Sequence, residues 1–223
     1  MKTTPMIFNT EMVKTLLAGK KTVTRRPVKQ WVRSNGNWAL SIQDGKVVES
    51  LNGHNTMPTG INLPCNVGDL IWVRETFQGP LFDIEKMPEY QENSTKFETP
   101  EYCIYAATDK IQEFYDMDDN LVCRWRPSIH MPRWASRITL KVTDVRCEKI
   151  SDLTEEQAIK EGMLSTKEAE LAAINAGIGW YESPYIQFKH LWEKIYNNWS
   201  DYVWVIEFEV INENIDKHIK QLK

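Results

Sequence analysis

Lys21 is the residue whose surroundings in the chain best suit a base or nucleophile. Lys20, Arg25 and Arg26 crowd it with like charge, and that disfavours its protonated form. A neutral amine there can take a proton from Thr24 or from water. In a straight strand positions 21 and 24 face opposite ways, so the pair converges only if Lys21 sits in the turn before the strand. The same residues also read as a basic turn that simply contacts phosphate. Glu161 falls in the last turn of a helix, where its charge meets the negative end of the dipole at a cost of up to about 1 kcal/mol. That placement points to a role; the other reading is a solvated surface glutamate.

A second set surrounds the run Arg124 to Trp134 (RWRPSIHMPRW). Ser128 and His130 lie two residues apart without a strand–turn–helix elbow, so they do not make a serine-hydrolase triad. Between Pro127 and Pro132 they read as a rigid loop, with Ser128 offering a hydrogen bond to a base edge. Arg126, Arg133 and Arg137 can meet phosphate. Trp125 and Trp134 flank the loop, and Trp72 lies on a strand beside Arg74 and Glu75. Base stacking on such a ring is worth roughly 1–3 kcal/mol. Core packing suits Trp192 and Trp204 better, and either use fits Trp125 and Trp134.

Two basic islands stand out in a chain of net charge −4. Lys20, Lys21, Arg25, Arg26, Lys29 and Arg33 form one, and Arg124, Arg126, Arg133 and Arg137 form the other, with no acid inside either. They carry +10 and leave −14 on the rest, which argues for a local anion site and against a protein that coats nucleic acid by charge. Two solvated basic faces are the plainer reading. Cys65, Cys103, Cys123 and Cys147 lack zinc-knuckle spacing, and Cys123 with His130 is a weak metal pair, so no metal or other cofactor is expected. The cysteines read as reduced, packed small hydrophobes. Met1 to Met6 lack a signal-peptide core and no long apolar run occurs, so the expectation is a soluble cytoplasmic protein without a membrane partner.

These residues need a scaffold, and 223 residues suffice for one domain, 1–223, with a core that needs no staples. Pro5 to Asn9 reads as a strand, and Thr10 as the cap of a helix from Glu11 to Ala18 that Gly19 stops. Lys21 to Arg26 alternates as a strand. From 28 to 66 the pattern breaks down into an insertion, with a hairpin at Asp44-Gly45. Leu70 to Phe77 is apolar on both faces and reads as a central strand, which puts Arg74 and Glu75 on opposite sides. A second, acidic insertion covers 78–124 with a short strand at Glu101 to Ala106. Ile138 to Thr143 makes a half-buried strand. Thr154 with Gln157 and Ser165 with Glu168 are capping boxes, and Ser183-Pro184 opens a third helix. Trp204 to Val210 alternates as a last strand with one wet face, and the polar tail 212–223 reads as a loosely packed helix. The class is α+β with a mixed, partly closed sheet.

Several blocks resemble the ASCH family. Leu17-Ala18-Gly19-Lys20-Lys21-Thr22-Val23-Thr24-Arg25-Arg26 looks like its signature, and Gly68-Asp69 with Trp72-Val73-Arg74-Glu75 is similar to its second strand. Arg126-Pro127-Ser128-Ile129-His130-Met131-Pro132-Arg133 with Ala135-Ser136-Arg137 resembles a block of the longer members common in phages and prophages. Leu191-Trp192 and Trp204-Val205-Ile206-Glu207-Phe208 match their ending. The resemblance implies a PUA-like mixed β-barrel with flanking helices and a cleft that holds RNA or a modified base. Compact bacterial members remove the acetyl group of N4-acetylcytidine, and their catalytic lysine, threonine and glutamate fall on Lys21, Thr24 and Glu161. Another member is described as a ribonuclease.

Three functions follow as expectations. The first is an amidohydrolase on an acylated cytidine, with Lys21 activating Thr24 or water, Glu161 shuttling the proton, and Arg74 or Ser128 orienting the base. The second is a binding module for RNA or a modified base, using Arg25, Arg26, Trp72, Arg74, Glu75, Arg126, Ser128, His130, Arg133, Trp134 and Arg137. The third is a ribonuclease with Lys21 and His130 near the scissile phosphate. In each the partner is a nucleoside, nucleotide or RNA.

Overall fold

The computed structural model describes residues 1–29, 38–51, 54–115, 121–197, 199 and 202–222. The first elements are β1 (Thr3–Ile7), α1 (Thr10–Leu17), β2 (Val23–Pro27), β3 (Trp38–Gln43), β4 (Lys46–Leu51), β5 (His54–Pro58) and β6 (Leu70–Arg74). Short pieces follow: β7 (Phe77–Gln78), α2 (Met87–Glu92), β8 (Ile104–Tyr105), β9 (Phe114–Tyr115) and β10 (Leu121–Val122). The chain ends with β11 (Thr139–Lys149), α3 (Glu155–Lys160), α4 (Thr166–Asn175), α5 (Pro184–Tyr196), β12 (Tyr202–Ile211) and α6 (Ile215–Gln221). These elements pack as two units. One gathers Met1–Gly19, Asp69–Lys141 and Val210–Lys223; the other gathers Lys20–Gly68 and Val142–Glu209.

In the first unit β6 runs parallel to β1 and antiparallel to the start of β11. Its residues Leu70 to Val73 are all buried, as a strand paired on both sides and apolar on both faces should be. Pro5 is tolerated in β1 because β1 is paired on one side only. The strand stops at Arg74, so Glu75 lies just past its end and not on the opposite face of it. Asn9, and not Thr10, caps α1, accepting from the Met12 N–H at 2.8 Å. Val13 and Leu16 bury one side of that helix, and Gly19, at φ +68°, lets the chain leave it.

Among the described residues, the acidic segment after β7 has only two-residue strands and packs around a cluster of rings. Phe97 is buried with its centroid 4.6 Å from Phe82 and 4.8 Å from Tyr102. The strand expected at Glu101 to Ala106 shrinks to β8, because Pro100 starts a 3-10 turn there. The tail is docked and not loose. Ile215 is fully buried against Leu70 and Trp72, with Ile219 one turn on. The Asn214 amide reaches the carbonyls of Arg133, Trp134 and Ser136 at 3.2, 3.1 and 2.7 Å.

In the second unit β12 pairs antiparallel with β2, with Ile206 opposite Thr24 and Val205 opposite Arg25. Val23, Val203 and Val205 meet Ile150, Leu153, Ala158, Phe188 and Trp192 in one cluster, which seats α3 and α5 on the strands. Tyr202 to Ile206 are all buried, so the wet face expected of this strand exists only from Glu207 on. Both capping boxes are present, at Thr154–Gln157 and Ser165–Glu168. Within the expected 28–66 insertion, the described residues form a β3-β4-β5 meander. Asp44 (φ 49°) and Gly45 (φ 70°) make its two-residue turn. Arg33, Gly36 and Gly53 lie outside the described residues.

The coarse α+β class holds. Among the described residues no sheet closes into the barrel expected from the sequence. No helix among them is long and apolar enough to cross a membrane.

The docked tail gives a direct expectation. Ile215→Ala should cost about 2–5 kcal/mol in urea unfolding, the range for emptying a filled core position. A loss below about 0.5 kcal/mol, the range of surface changes, would contradict the docking.

Candidate functional site

Lys21 sits in the segment just before β2, past the turn at Ala18-Gly19 and not inside it, so it does not converge with Thr24 as the sequence reading required. Two backbone bonds fix that segment: Thr22 N–H donates to the Lys160 carbonyl at 2.9 Å, and Phe208 N–H donates to the Thr22 carbonyl at 3.0 Å. The first ties it to the end of α3, where Glu161 forms the C-cap. The Lys21 amine donates to Glu161 Oε2 at 2.6 Å and to the Glu161 carbonyl at 2.9 Å. The other carboxylate oxygen, Oε1, accepts from Arg25 Nη1 at 3.1 Å. One carboxylate thus holds two cations, one on each oxygen.

This trio is closed to solvent: Lys21 is 1% exposed, Glu161 3% and Arg25 4%. The glutamate is no surface residue, and the neighbouring helix end explains why. Glu161 N–H is bonded to the Gln157 and Ala158 carbonyls, and Gly162, at φ 99°, turns the chain away. Burial pushes the Lys21 amine below its ordinary value, against the pull of Glu161 and with help from the charges of Arg26 and Arg25.

Strand alternation explains which residues meet. Lys21, Val23 and Arg25 follow at period two and serve one side, on which Val23 joins the helical cluster. Thr24 alternates to the other side. It is buried, and among the described residues its hydroxyl makes no hydrogen bond to Lys21 or Glu161. The residues brought together are therefore Lys21, Glu161 and Arg25.

From Arg25 the charges continue outward. Arg25 Nη2 lies 3.4 Å from Glu148 Oε2, and Arg146 Nε donates to Glu148 Oε1 at 2.6 Å. Arg146 also binds Asp144 at 2.7 Å and Glu207 at 2.6 Å. Glu148, Arg146, Asp144 and Glu207 escaped the sequence reading. The signal was there, since Asp144, Arg146 and Glu148 alternate along β11 with opposite charges. The first basic island thus loses three members to internal partners, because Lys20 pairs with Glu168 at 2.6 Å. Arg26, half-buried, donates to the Tyr196 hydroxyl at 3.4 Å.

The other expected residues lie in the first unit. Arg137 grips both oxygens of Glu75 at 3.0 Å and lies 3.9 Å from the centre of the Tyr105 ring. Burial raises the Glu75 carboxyl above its ordinary value in spite of Arg137. Arg133 is bidentate to Asp216, with bonds of 2.7 and 3.0 Å to one oxygen, and also reaches Thr3 at 2.7 Å. Arg74 donates to the Ile129 carbonyl and stacks 5.6 Å from Trp72, itself a core residue beside Leu70 and Ile215. Trp134 packs on Phe77, Tyr105, Met131 and Ala135. Ser128 and His130 share a 3-10 turn, His130 exposed, and exposed Arg126 donates to the Gly79 carbonyl at 3.0 Å.

Of the residues read as contacting phosphate, Arg133 and Arg137 already hold carboxylates. Cys123 is exposed and not packed, whereas Cys65 is buried. Among the described residues no three His, Cys, Asp or Glu side chains are grouped to hold a metal ion.

The lowered Lys21 value fixes the sign of a stability effect. Between that folded value and the ordinary 10.5, the unfolded chain holds one more proton than the folded one. Stability should therefore rise with pH through this window, and the contribution should be lost as pH falls through the folded value. Lys21→Met should flatten that slope in urea-unfolding series; an unchanged slope would contradict the assignment.

Compared with protein-family models, with curated proteins and with solved structures, the chain matches none.

Proposed function

We propose that the chain is an ASCH-type protein of PUA-like ancestry that hydrolyses an acyl amide on a nucleobase, with N4-acetylcytidine as the simplest substrate. One observation carries the reading. Two residues that the family resemblance makes catalytic, Lys21 and Glu161, are 140 positions apart in sequence and meet at 2.6 Å in a buried pocket of charge. Burial favours the neutral amine that a general base requires.

In this reading the Lys21 amine takes a proton from water as the water oxygen adds to the acyl carbon. The bond between that carbon and N4 then breaks, the base leaves as its free amine, and the proton returns to N4 through Glu161. Acetate and cytidine are the products. Water is favoured over Thr24 as the group activated, because Thr24 alternates to the other side of β2. The trio is closed to solvent in this structure, so a substrate reaches it only once these side chains become accessible.

That closure also favours the second reading, a binding module without chemistry, in which the trio is a structural ion cluster. The ribonuclease reading has less support, since the Lys21 amine it would place at a scissile phosphate is buried and bound to Glu161.

Purified protein should release acetate and cytidine from N4-acetylcytidine. Lys21→Ala and Glu161→Gln should each lower kcat/KM by at least about 100-fold, the usual scale for losing a proton-transfer group. Unchanged turnover in either variant would overturn the hydrolase. Absent turnover in the wild type, with retained RNA binding whose salt slope reports few phosphates, would transfer the assignment to the binding module.

A further inference from the structure

We infer that Arg25 is a positioning residue that holds the charge of Glu161 so that Lys21 can lose its proton inside the protein. The inference rests on the hydrolase reading for its purpose, though not for its measurement. The geometry is specific: each oxygen of Glu161 has one cation, Lys21 on Oε2 and Arg25 on Oε1. If Lys21 stood alone, its deprotonation would leave a carboxylate buried without compensation, which costs several kcal/mol. With Arg25 in place the neutral state of Lys21 leaves a complete ion pair behind. A guanidinium suits this task because it keeps its proton at every accessible pH.

The charges around Lys21 come from several elements. Glu161 stands at the end of α3, Arg25 and Arg26 on β2, and, one pair further out, Glu148 and Arg146 on β11 and Glu207 on β12. Arg26 repels the protonated amine and donates to the Tyr196 hydroxyl at 3.4 Å. Glu148 draws Arg25 the other way, at 3.4 Å. Arg25 is therefore divided between two carboxylates, and the division sets how fully Glu161 is compensated. Two substitutions should then move Lys21 in opposite directions. Loss of the Arg25 charge should raise the pH at which Lys21 deprotonates. Loss of the Glu148 charge should lower it, since it removes a nearby anion and frees Arg25 for Glu161.

The test is a pH titration of full-length protein carrying lysine labelled with carbon-13 at the ε position, with the Lys21 signal assigned by its loss in Lys21→Met. Arg25→Gln should move the Lys21 midpoint up by about one pH unit or more, and Arg25→Lys should recover part of the shift. Glu148→Gln, at a partly exposed residue, should move it down. An unmoved or lowered midpoint in Arg25→Gln would overturn the inference. If Arg25→Gln does not fold, Glu148→Gln decides: a fall supports the inference, and a rise or no change overturns it. Acetylcytidine hydrolysis is read on the same samples, with its acidic limb expected to follow the Lys21 midpoint. A wild type without turnover would remove the hydrolase reading and leave the titration to judge Arg25 on its own.

Discussion

The constraint that the second unit is built to satisfy is one buried carboxylate shared by two cations. Glu161 reaches back across 140 positions to Lys21 and 136 to Arg25, and all three side chains are withdrawn from water. Such a cluster is expensive to assemble, because desolvation of each ion costs several kcal/mol before any attraction is counted. The surrounding structure is what makes it tolerable. The apolar cluster of α3, α5, β2 and β12 fixes the backbone on both sides, and the Thr22–Lys160 bond sets the spacing between the two segments. The charges do not hold the unit together so much as the unit holds the charges in place.

The first unit repeats the theme at lower cost. Arg137 and Glu75 form a two-pronged pair beside the Tyr105 ring, and Arg133 fastens the tail helix through Asp216. Arginines that look in sequence like an anion site are internal counter-charges for acids far along the chain. Five of the ten island residues, Lys20, Lys21, Arg25, Arg133 and Arg137, are matched in this way.

Sequence reading reached the local features and missed the distant ones, for physical reasons. Capping boxes, the Asp44-Gly45 turn and the doubly buried β6 are written in neighbouring residues and were legible. The tail reads as loose because nine of its twelve residues, 212–223, are polar or charged, although Ile215 and Ile219 lie one turn apart. Lys21 and Glu161 are both legible in the sequence, through like-charged neighbours and the family resemblance, but the sharing of Glu161 with Arg25 follows only from strand alternation and tertiary pairing. Arg25 had been assigned to ligand binding, yet its burial commits it to Glu161 and Glu148. The alternating charges of β11 were the one readable clue to the outer network.

A cluster that costs stability should persist for what it does and not for what it holds up. The direct measurement is the urea-unfolding free energy of the triple variant K21M/R25M/E161L, in which apolar side chains replace all three charges at once. The account predicts a folded protein at least as stable as the wild type, as found when buried ion clusters give way to well-packed apolar groups. A loss of more than about 3 kcal/mol would contradict it, and would make the trio a structural brace.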